Sequence, residues 1–204
     1  MASSDRAPRA GAALLLVLLL GACATSGAAG AVDLRDLGER PATLGTDAHE
    51  ATVLVFWSTT CPCVARYRER VADLAARWSG RGVQVLAISS NVDDDLEALR
   101  ASAPPVPLLI DEGGRLAAAL GARSTPTVVL LDRTGAVRFL GWIDDERLPG
   151  DPARQPWLEE ALEDLLAGRA VARDRTPTWG CAITRSLGAG TRCAPIVRDT
   201  PAAP

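Results

Sequence analysis

The sequence predicts an α/β protein with a central mixed β-sheet flanked by helices. Two continuous apolar runs rich in β-branched residues, "ATVLVFW" (51–57) and "GVQVLAISS" (82–90), have the pattern of buried strands. Between them, apolar residues recur at helical spacing from Pro62 to Trp78. A hairpin pattern and an amphipathic helix close the domain, so the sheet should contain both parallel and antiparallel pairs.

The remaining elements follow from local signals along the chain. Two short apolar runs around Gly38 predict an N-terminal hairpin within residues 32–47. Asn91 is a candidate N-cap for the helix that follows, and Asp93, Asp94 and Asp95 suit the positive end of that helix. The other predicted elements are a strand at 106–111, a helix at 114–121, a strand pair at 125–132 and 136–143, and a helix at 157–168.

Composition sets the broad class of the protein. The chain has 204 residues, of which 48% are hydrophobic and 23% charged, as expected for one globular domain with additional segments. The formal net charge of −3 argues against a nucleic-acid partner.

The N-terminus has the pattern of an exported lipoprotein. Residues 1–22 combine two early arginines with the apolar run "GAALLLVLLLGA", which is short for a membrane span and typical of a signal peptide. This run ends in "LGAC", which resembles the bacterial lipobox and predicts lipidation of Cys23. Residues 23–31 would then be a flexible tether. Because Ala24 does not resemble an inner-membrane retention signal, we expect a lipid-anchored, periplasm-facing protein of the cell envelope, with the outer membrane favoured over the inner.

The predicted domain spans residues 32–168, and residues 169–204 form a tail without periodicity. This tail carries Cys181 and Cys193. In an oxidising compartment, these two and the pair Cys61 and Cys63 could form disulfides in three complete pairings, among which the sequence does not choose. A Cys181–Cys193 disulfide would be structural and would stabilise the tail by about 3 kcal/mol in the loop-entropy picture.

The stretch "CPC" (61–63) has features of a redox site. Cys61 lies where a strand is followed by a helix, so backbone N–H groups and the helix dipole should favour its thiolate. Pro62 suits the first helical turn. The ring that a Cys61–Cys63 disulfide would close is small and strained, which makes it a poor structural crosslink but a plausible redox couple. If Pro126 is cis and faces the thiol, the backbone before it is open to pair with a substrate strand.

Taken together, several motifs resemble those of the thioredoxin-like redoxins, the broad AhpC/TSA and TlpA-like group. They are "VLVFW" before Cys61-Pro62, then "STPTVVLLDRTG", then "FLGWIDD". A narrower set of redoxins has "CPYVKAY" at the first helix and "GCSI" after the last one; this chain has "CPCVARY" at 61–67 and "GCAI" at 180–183. The resemblance implies a thioredoxin-like fold over residues 32–168, with Cys61 as the reactive thiol, Pro126 as a cis proline and Cys181 as a candidate partner.

The chain also departs from related families in informative ways. Thioredoxin-like reductases have Cys-x-x-Cys, whereas this chain has Cys-x-Cys, and thioredoxins have a buried acid where Val55 stands. Peroxiredoxins have a proline where Leu54 stands, although Ser58 fits their Thr or Ser position. Copper chaperones of this fold use Cys-x-x-x-Cys with a downstream histidine, whereas the single histidine here, His49, lies upstream, so no metal site is expected.

These observations predict a membrane-anchored, extracytoplasmic thiol–disulfide oxidoreductase. Cys61 would form a mixed disulfide, and Cys63 or Cys181 would resolve it. Its partners would be protein thiols or disulfides and an unidentified electron donor, with no cofactor. The alternatives are a thiol peroxidase of the redoxin group and a non-enzymatic lipoprotein whose cysteines form structural disulfides.

Overall fold

The computed structural model describes residues 33–146, residues 155–184 and the backbone of residues 193–194. The predicted signal peptide (1–22), the lipidation site Cys23 and the tether (23–31) lie outside the described residues. Within the described part of the chain, no helix combines the length and hydropathy needed to cross a bilayer.

A seven-stranded mixed sheet forms the centre of the molecule. Its strands, in spatial order, are β2 (Pro41–Ala42), β1 (Leu34–Asp36), β5 (Leu108–Asp111), β4 (Val83–Ser89), β3 (Ala51–Trp57), β7 (Thr127–Asp132) and β8 (Val137–Gly141). Strand β4 runs parallel to both of its neighbours, β3 and β5, whereas the other neighbouring pairs are antiparallel. The predicted mixed sheet and N-terminal hairpin are both confirmed.

The helices cover both faces of this sheet. They are α1 (Pro62–Ala65), α2 (Arg68–Ser79), α3 (Leu96–Ala101), α4 (Arg115–Leu120) and α5 (Trp157–Leu166). The predicted first helix is divided, because Tyr67 N–H bonds the carbonyl of Val64, three residues back, before α2 begins. The apolar positions that predicted it are nevertheless buried.

The burial of β3 on both faces of the sheet explains why its run of apolar residues is continuous. All seven residues are buried, and alternate side chains enter two different core clusters. Val53, Val55 and Trp57 pack in the cluster that contains the apolar faces of α2 and α5. Leu54 and Phe56 pack in the cluster that contains the buried residues of α4. This central strand is therefore buried on both faces, and the segment that leads to Cys61 follows directly after it.

The segment after residue 168 is irregular over most of its described length, but it also contains short strands that the sequence did not predict. Strand β9 (Gly180–Ala182) pairs with β6 (Ser124–Thr125) on one side and with β10 (Cys193–Ala194) on the other, which makes a small second sheet. The predicted strand 125–132 is accordingly divided into β6 and β7, with Pro126 between them.

The expected helix cap was wrong. Asp95, and not Asn91, is the N-cap of α3, and its carboxylate accepts from Ala98 N–H at 3.1 Å. Asn91 instead accepts from the backbone N–H of Thr184 at 2.9 Å. Asn91 therefore holds the C-terminal segment, a role that local sequence signals do not reveal.

Candidate functional site

Cys61 lies in the short connection between β3 and α1, directly before the first residue of α1. It is the N-cap of α1, and Pro62 occupies the first helical position, as the sequence predicts. The side chain is 3% exposed, and it packs in the same cluster as Trp57 and Val64. The flanking residues Thr60 and Pro62 are exposed, so the thiol lies just beneath the surface.

Strand β6 supplies the wall opposite Cys61. The Cys61 thiol donates a hydrogen bond to the carbonyl oxygen of Thr125 at 3.2 Å. The peptide bond between Thr125 and Pro126 is cis, as the resemblance implies. Thr125 is 1% exposed, and sequence reasoning did not identify it, although its position directly before Pro126 was a signal that it would face the site.

Strand β9 brings Cys181 to the same place. In the antiparallel pairing of β9 with β6, Cys181 lies opposite Thr125. Cys181 is 2% exposed, and the sulfurs of Cys61, Cys63 and Cys181 all lie within 4.8 Å of one another. Three thiols from two distant parts of the sequence therefore form one cluster, which is close enough for sulfur-to-sulfur chemistry after modest side-chain rotation.

The same pairing occupies the backbone edge beside Pro126. The sequence led us to expect that this edge would be open to a substrate strand. The chain's own segment takes it instead, because residues 124–125 already pair with residues 181–182. Strand β9 thus occupies the edge that the sequence led us to expect would be open.

Gly180 permits the close approach of the two strands. A Cβ at this position would lie 2.1 Å from the carbonyl oxygen of Thr125, and the φ angle of 147° is one that side-chain-bearing residues rarely adopt. The glycine before Cys181 in "GCAI" is therefore needed for steric reasons, because a side chain there would overlap Thr125. Sequence reasoning did not assign this glycine a role.

Contacts on both sides of β9 hold residues 179–184 against the domain. Before the strand, the rings of Trp179 and Trp142 lie with centroids 3.7 Å apart. After it, Ile183 N–H donates to the carbonyl of Arg123 at 2.9 Å, and the Thr184 hydroxyl donates to the carboxylate of Asp93 at 2.9 Å. Ile183 and Thr184 are buried, so the segment is part of the folded domain.

The pKa of the Cys61 thiol lies below its usual value. Burial acts to raise this pKa, because it disfavours the charged thiolate. Hydrogen bonds from the side chains of Cys181 and Thr125, together with backbone bonds from Cys181 and Val64, outweigh the burial. The direction of this shift agrees with the expected acidity, and Cys181 contributes more to it than the start of the helix does.

Cys63 is more accessible than the other two thiols. It is half-buried, packs against the edge of the core, and receives a long hydrogen bond from the Arg66 guanidinium at 3.8 Å. The remaining cysteine of the tail, Cys193, is described only by its backbone, which pairs directly with Cys181 in β10. The backbone of Cys193 thus lies beside Cys181 on the side of β9 away from β6.

The structure also shows where three residues lie that the comparison with related families considered, namely Val55, Ser58 and His49. Val55 is fully buried where thioredoxins have an acid. The Ser58 hydroxyl donates to the Asp94 carboxylate at 2.8 Å. His49 precedes β3 and so lies at the opposite end of that strand from Cys61.

Comparison with known proteins identifies the family. The AhpC/TSA family model matches residues 27–140, which is more than half of the chain. The chain belongs to the AhpC/TSA family. A curated relative, the thiol-disulfide oxidoreductase ResA of Halalkalibacterium halodurans, is 29% identical over 87 residues. That match covers 41% of this chain and about half (49%) of the length of ResA.

Solved structures support the same fold. A hypothetical protein from Sinorhizobium meliloti 1021 is 30% identical with a TM-score of 0.66, covering 76% of this chain and 91% of that one. An uncharacterized conserved protein from Geobacillus kaustophilus is 29% identical with a TM-score of 0.67, covering 77% and 89%. A putative thioredoxin from Neisseria meningitidis, at 19% identity and a TM-score of 0.51 over 66% of this chain and 87% of that one, shows the thioredoxin-like fold.

The position of Cys181 makes the acidity of Cys61 testable. We expect alkylation of Cys61 by iodoacetamide to show a pH midpoint below about 8.5, the value of an ordinary cysteine, because the thiolate is the reacting form. In Cys181→Ala the midpoint should rise, since the side-chain hydrogen bond from Cys181 that favours the thiolate is lost while Cys61 remains the N-cap of α1. Peptide mass spectrometry would assign the rate to Cys61.

Cys63→Ala is the matched control, because it leaves Cys181 and Thr125 in place beside Cys61. An unshifted midpoint in the wild type, or equal midpoints in the wild type and Cys181→Ala, would contradict this assignment.

Proposed function

We propose that this redoxin is a lipid-anchored, extracytoplasmic thiol–disulfide oxidoreductase in which Cys61 is the attacking thiol and Cys181 the resolving thiol. The observation that carries the proposal is the pairing of β9 with β6, which holds the buried Cys181 beside Cys61. The lowered pKa of Cys61 supports its role as nucleophile. The similarity to ResA, a thiol-disulfide oxidoreductase, supports the reaction class.

The proposed thiol–disulfide exchange breaks and forms bonds between sulfur atoms only, and its electrons balance without a cofactor. The Cys61 thiolate attacks one sulfur of a substrate disulfide, whose other sulfur leaves as a thiolate and takes up a proton. The Cys181 thiolate then attacks the Cys61 sulfur of the mixed disulfide and releases the second substrate thiol. The substrate disulfide gains two electrons, and the protein dithiol becomes a Cys61–Cys181 disulfide. A dithiol donor restores the reduced protein, and the same steps in reverse oxidise a substrate dithiol.

Cys181 suits the resolving role better than Cys63 does. Cys63 and Cys61 are separated only by Pro62 at the start of α1, where a disulfide would strain a short ring. Cys181 approaches from a separate strand, so its side chain is not bound by that ring. The close approach of β9 to Thr125 also keeps the local concentration of the Cys181 thiol high at Cys61.

The occupied edge at Thr125 restricts how substrates reach the site. An extended polypeptide cannot pair with the edge of β6 that β9 occupies. Access is open on the side of the exposed Thr60 and Pro62 and the half-buried Cys63. We therefore infer that the disulfide of a protein substrate enters from this side, on an exposed loop and not on a paired strand.

The alternatives gain less support from the geometry. Against a peroxidase, the fully buried Leu54 stands where peroxiredoxins have a proline, although Ser58, which donates to Asp94, fits their Thr or Ser position. A purely structural role for the cysteines does not account for three sulfurs gathered within 4.8 Å beneath an accessible surface.

The two candidate resolving thiols can be separated by trapping. When the reduced full-length protein reacts with oxidised glutathione, Cys63→Ala should form a Cys61–Cys181 disulfide with little adduct. Cys181→Ala should accumulate glutathione on Cys61, because no thiol on β9 displaces it. Non-reducing peptide mass spectrometry measures both species, and Cys193→Ala is the matched control that should behave as the wild type.

A different disulfide map would refute this version of the site. If Cys181–Cys193 and Cys61–Cys63 peptides dominate in the oxidised wild type, the Cys-Pro-Cys pair is the redox couple and the tail cysteines are structural.

Anchoring through Cys23 is tested separately. Cells fed a labelled fatty acid should incorporate label into the wild type and not into Cys23→Ser, and the labelled protein should fractionate with the outer membrane. Equal labelling of the two proteins would overturn the lipid anchor and leave the proposed thiol chemistry unaffected.

A further inference from the structure

Cys63 has no step in the proposed exchange, although its sulfur belongs to the same cluster. The sulfurs of Cys61, Cys63 and Cys181 lie within 4.8 Å of one another, two of them buried and one half-buried. This arrangement offers more thiols than one disulfide couple needs. We propose that the reduced cluster is a binding site for a soft monovalent metal ion, Cu(I), held by the three thiolates.

The spacing of the sulfurs suits such an ion. Metal–thiolate bonds are about 2.3 Å long, so three sulfurs around one trigonal ion lie about 4.0 Å apart. Because the observed separations are at most 4.8 Å, small side-chain rotations bring all three sulfurs to bonding distance. The strands and helix that carry them need not move.

The chemistry of the donors selects the ion. Thiolates are soft ligands that favour Cu(I) and zinc over the hard cations magnesium and calcium. Zinc in structural sites takes four ligands, whereas the described residues bring three cysteine sulfurs together and the single histidine lies at the far end of β3. A three-sulfur set therefore fits Cu(I) better than zinc.

The surroundings favour binding and provide a route of entry. Three thiolates with one Cu(I) carry a net negative charge, and the Arg66 guanidinium lies 3.8 Å from the Cys63 sulfur. The buried Cys61 and Cys181 keep water from two of the ligands. Cys63 is half-buried, so the ion can reach the cluster from the surface on that side.

Metal binding and disulfide formation exclude each other at this site. A Cys61–Cys181 disulfide draws two sulfurs to about 2.05 Å and leaves neither as a thiolate. The reduced protein should therefore bind Cu(I), and the oxidised protein should not. This proposal does not depend on the oxidoreductase activity, since it requires only the reduced cluster.

Anaerobic titration with Cu(I) against a competing chelator tests the proposal on the full-length protein. We expect one Cu(I) per reduced chain, with X-ray absorption showing three sulfur neighbours at about 2.3 Å. Cys63→Ser should weaken Cu(I) binding by at least about tenfold, because the loss of even an outer-sphere partner of a metal ligand costs 10–100-fold. The same variant should still form the Cys61–Cys181 disulfide with oxidised glutathione, which separates the metal site from the redox couple.

Two controls keep the result decisive. Cys193→Ser should retain wild-type affinity, and diamide-oxidised wild type should lose binding. If Cys63→Ser binds Cu(I) as tightly as the wild type, or if the reduced wild type shows no binding above that of a Cys61→Ser/Cys181→Ser variant, the three-sulfur site is wrong. Far-UV circular dichroism of each variant shows whether it is folded.

Discussion

The backbone pairing of Cys181 with Thr125 is the contact on which the site depends. It joins a short segment near the C-terminus to the strand beside Pro126, and it places a buried thiol next to Cys61. Gly180 makes the pairing possible, because a side chain there would overlap the Thr125 carbonyl. Trp179 and Thr184 then anchor the segment on either side. Without this contact, Cys61 would lose both its neighbour and the main donors that lower its pKa.

The rest of the fold provides a rigid base for that contact. Strand β3 is buried on both faces, so its end fixes the position of Cys61 within the core. Strand β7 pairs with β3 and continues from β6, and this connects the Thr125 wall to the same sheet. The segments that carry Cys61 and Thr125 are therefore both connected to the central sheet, and β9 adds Cys181 by pairing with β6.

Local patterns predicted the central sheet well, because apolar runs such as "ATVLVFW" and hairpin signals depend on burial within a few residues. The start of α1 at Cys61 and the cis bond before Pro126 were likewise expected, the latter from family resemblance. The strand at Gly180–Ala182 could not be predicted, because three residues carry no periodicity and the pairing partner is distant in sequence. For the same reason, two expectations from the sequence were wrong. The edge at Thr125 is occupied by β9, and Asn91 binds the backbone of Thr184 and does not cap a helix.

The most direct test of this account measures the effective concentration of Cys181 at Cys61. Equilibration of the Cys63→Ala protein with glutathione redox buffers yields this quantity from the fraction of Cys61–Cys181 disulfide. Adding Gly180→Val should lower it by roughly tenfold or more, equivalent to about 1.4 kcal/mol, because the strand must move away from Thr125. Gly80→Ala is the matched control, because a Cβ at this position has no atom within 4 Å. This variant should leave the effective concentration of Cys181 unchanged. Equal effective concentrations with and without Gly180→Val would show that β9 does not hold Cys181 at the site.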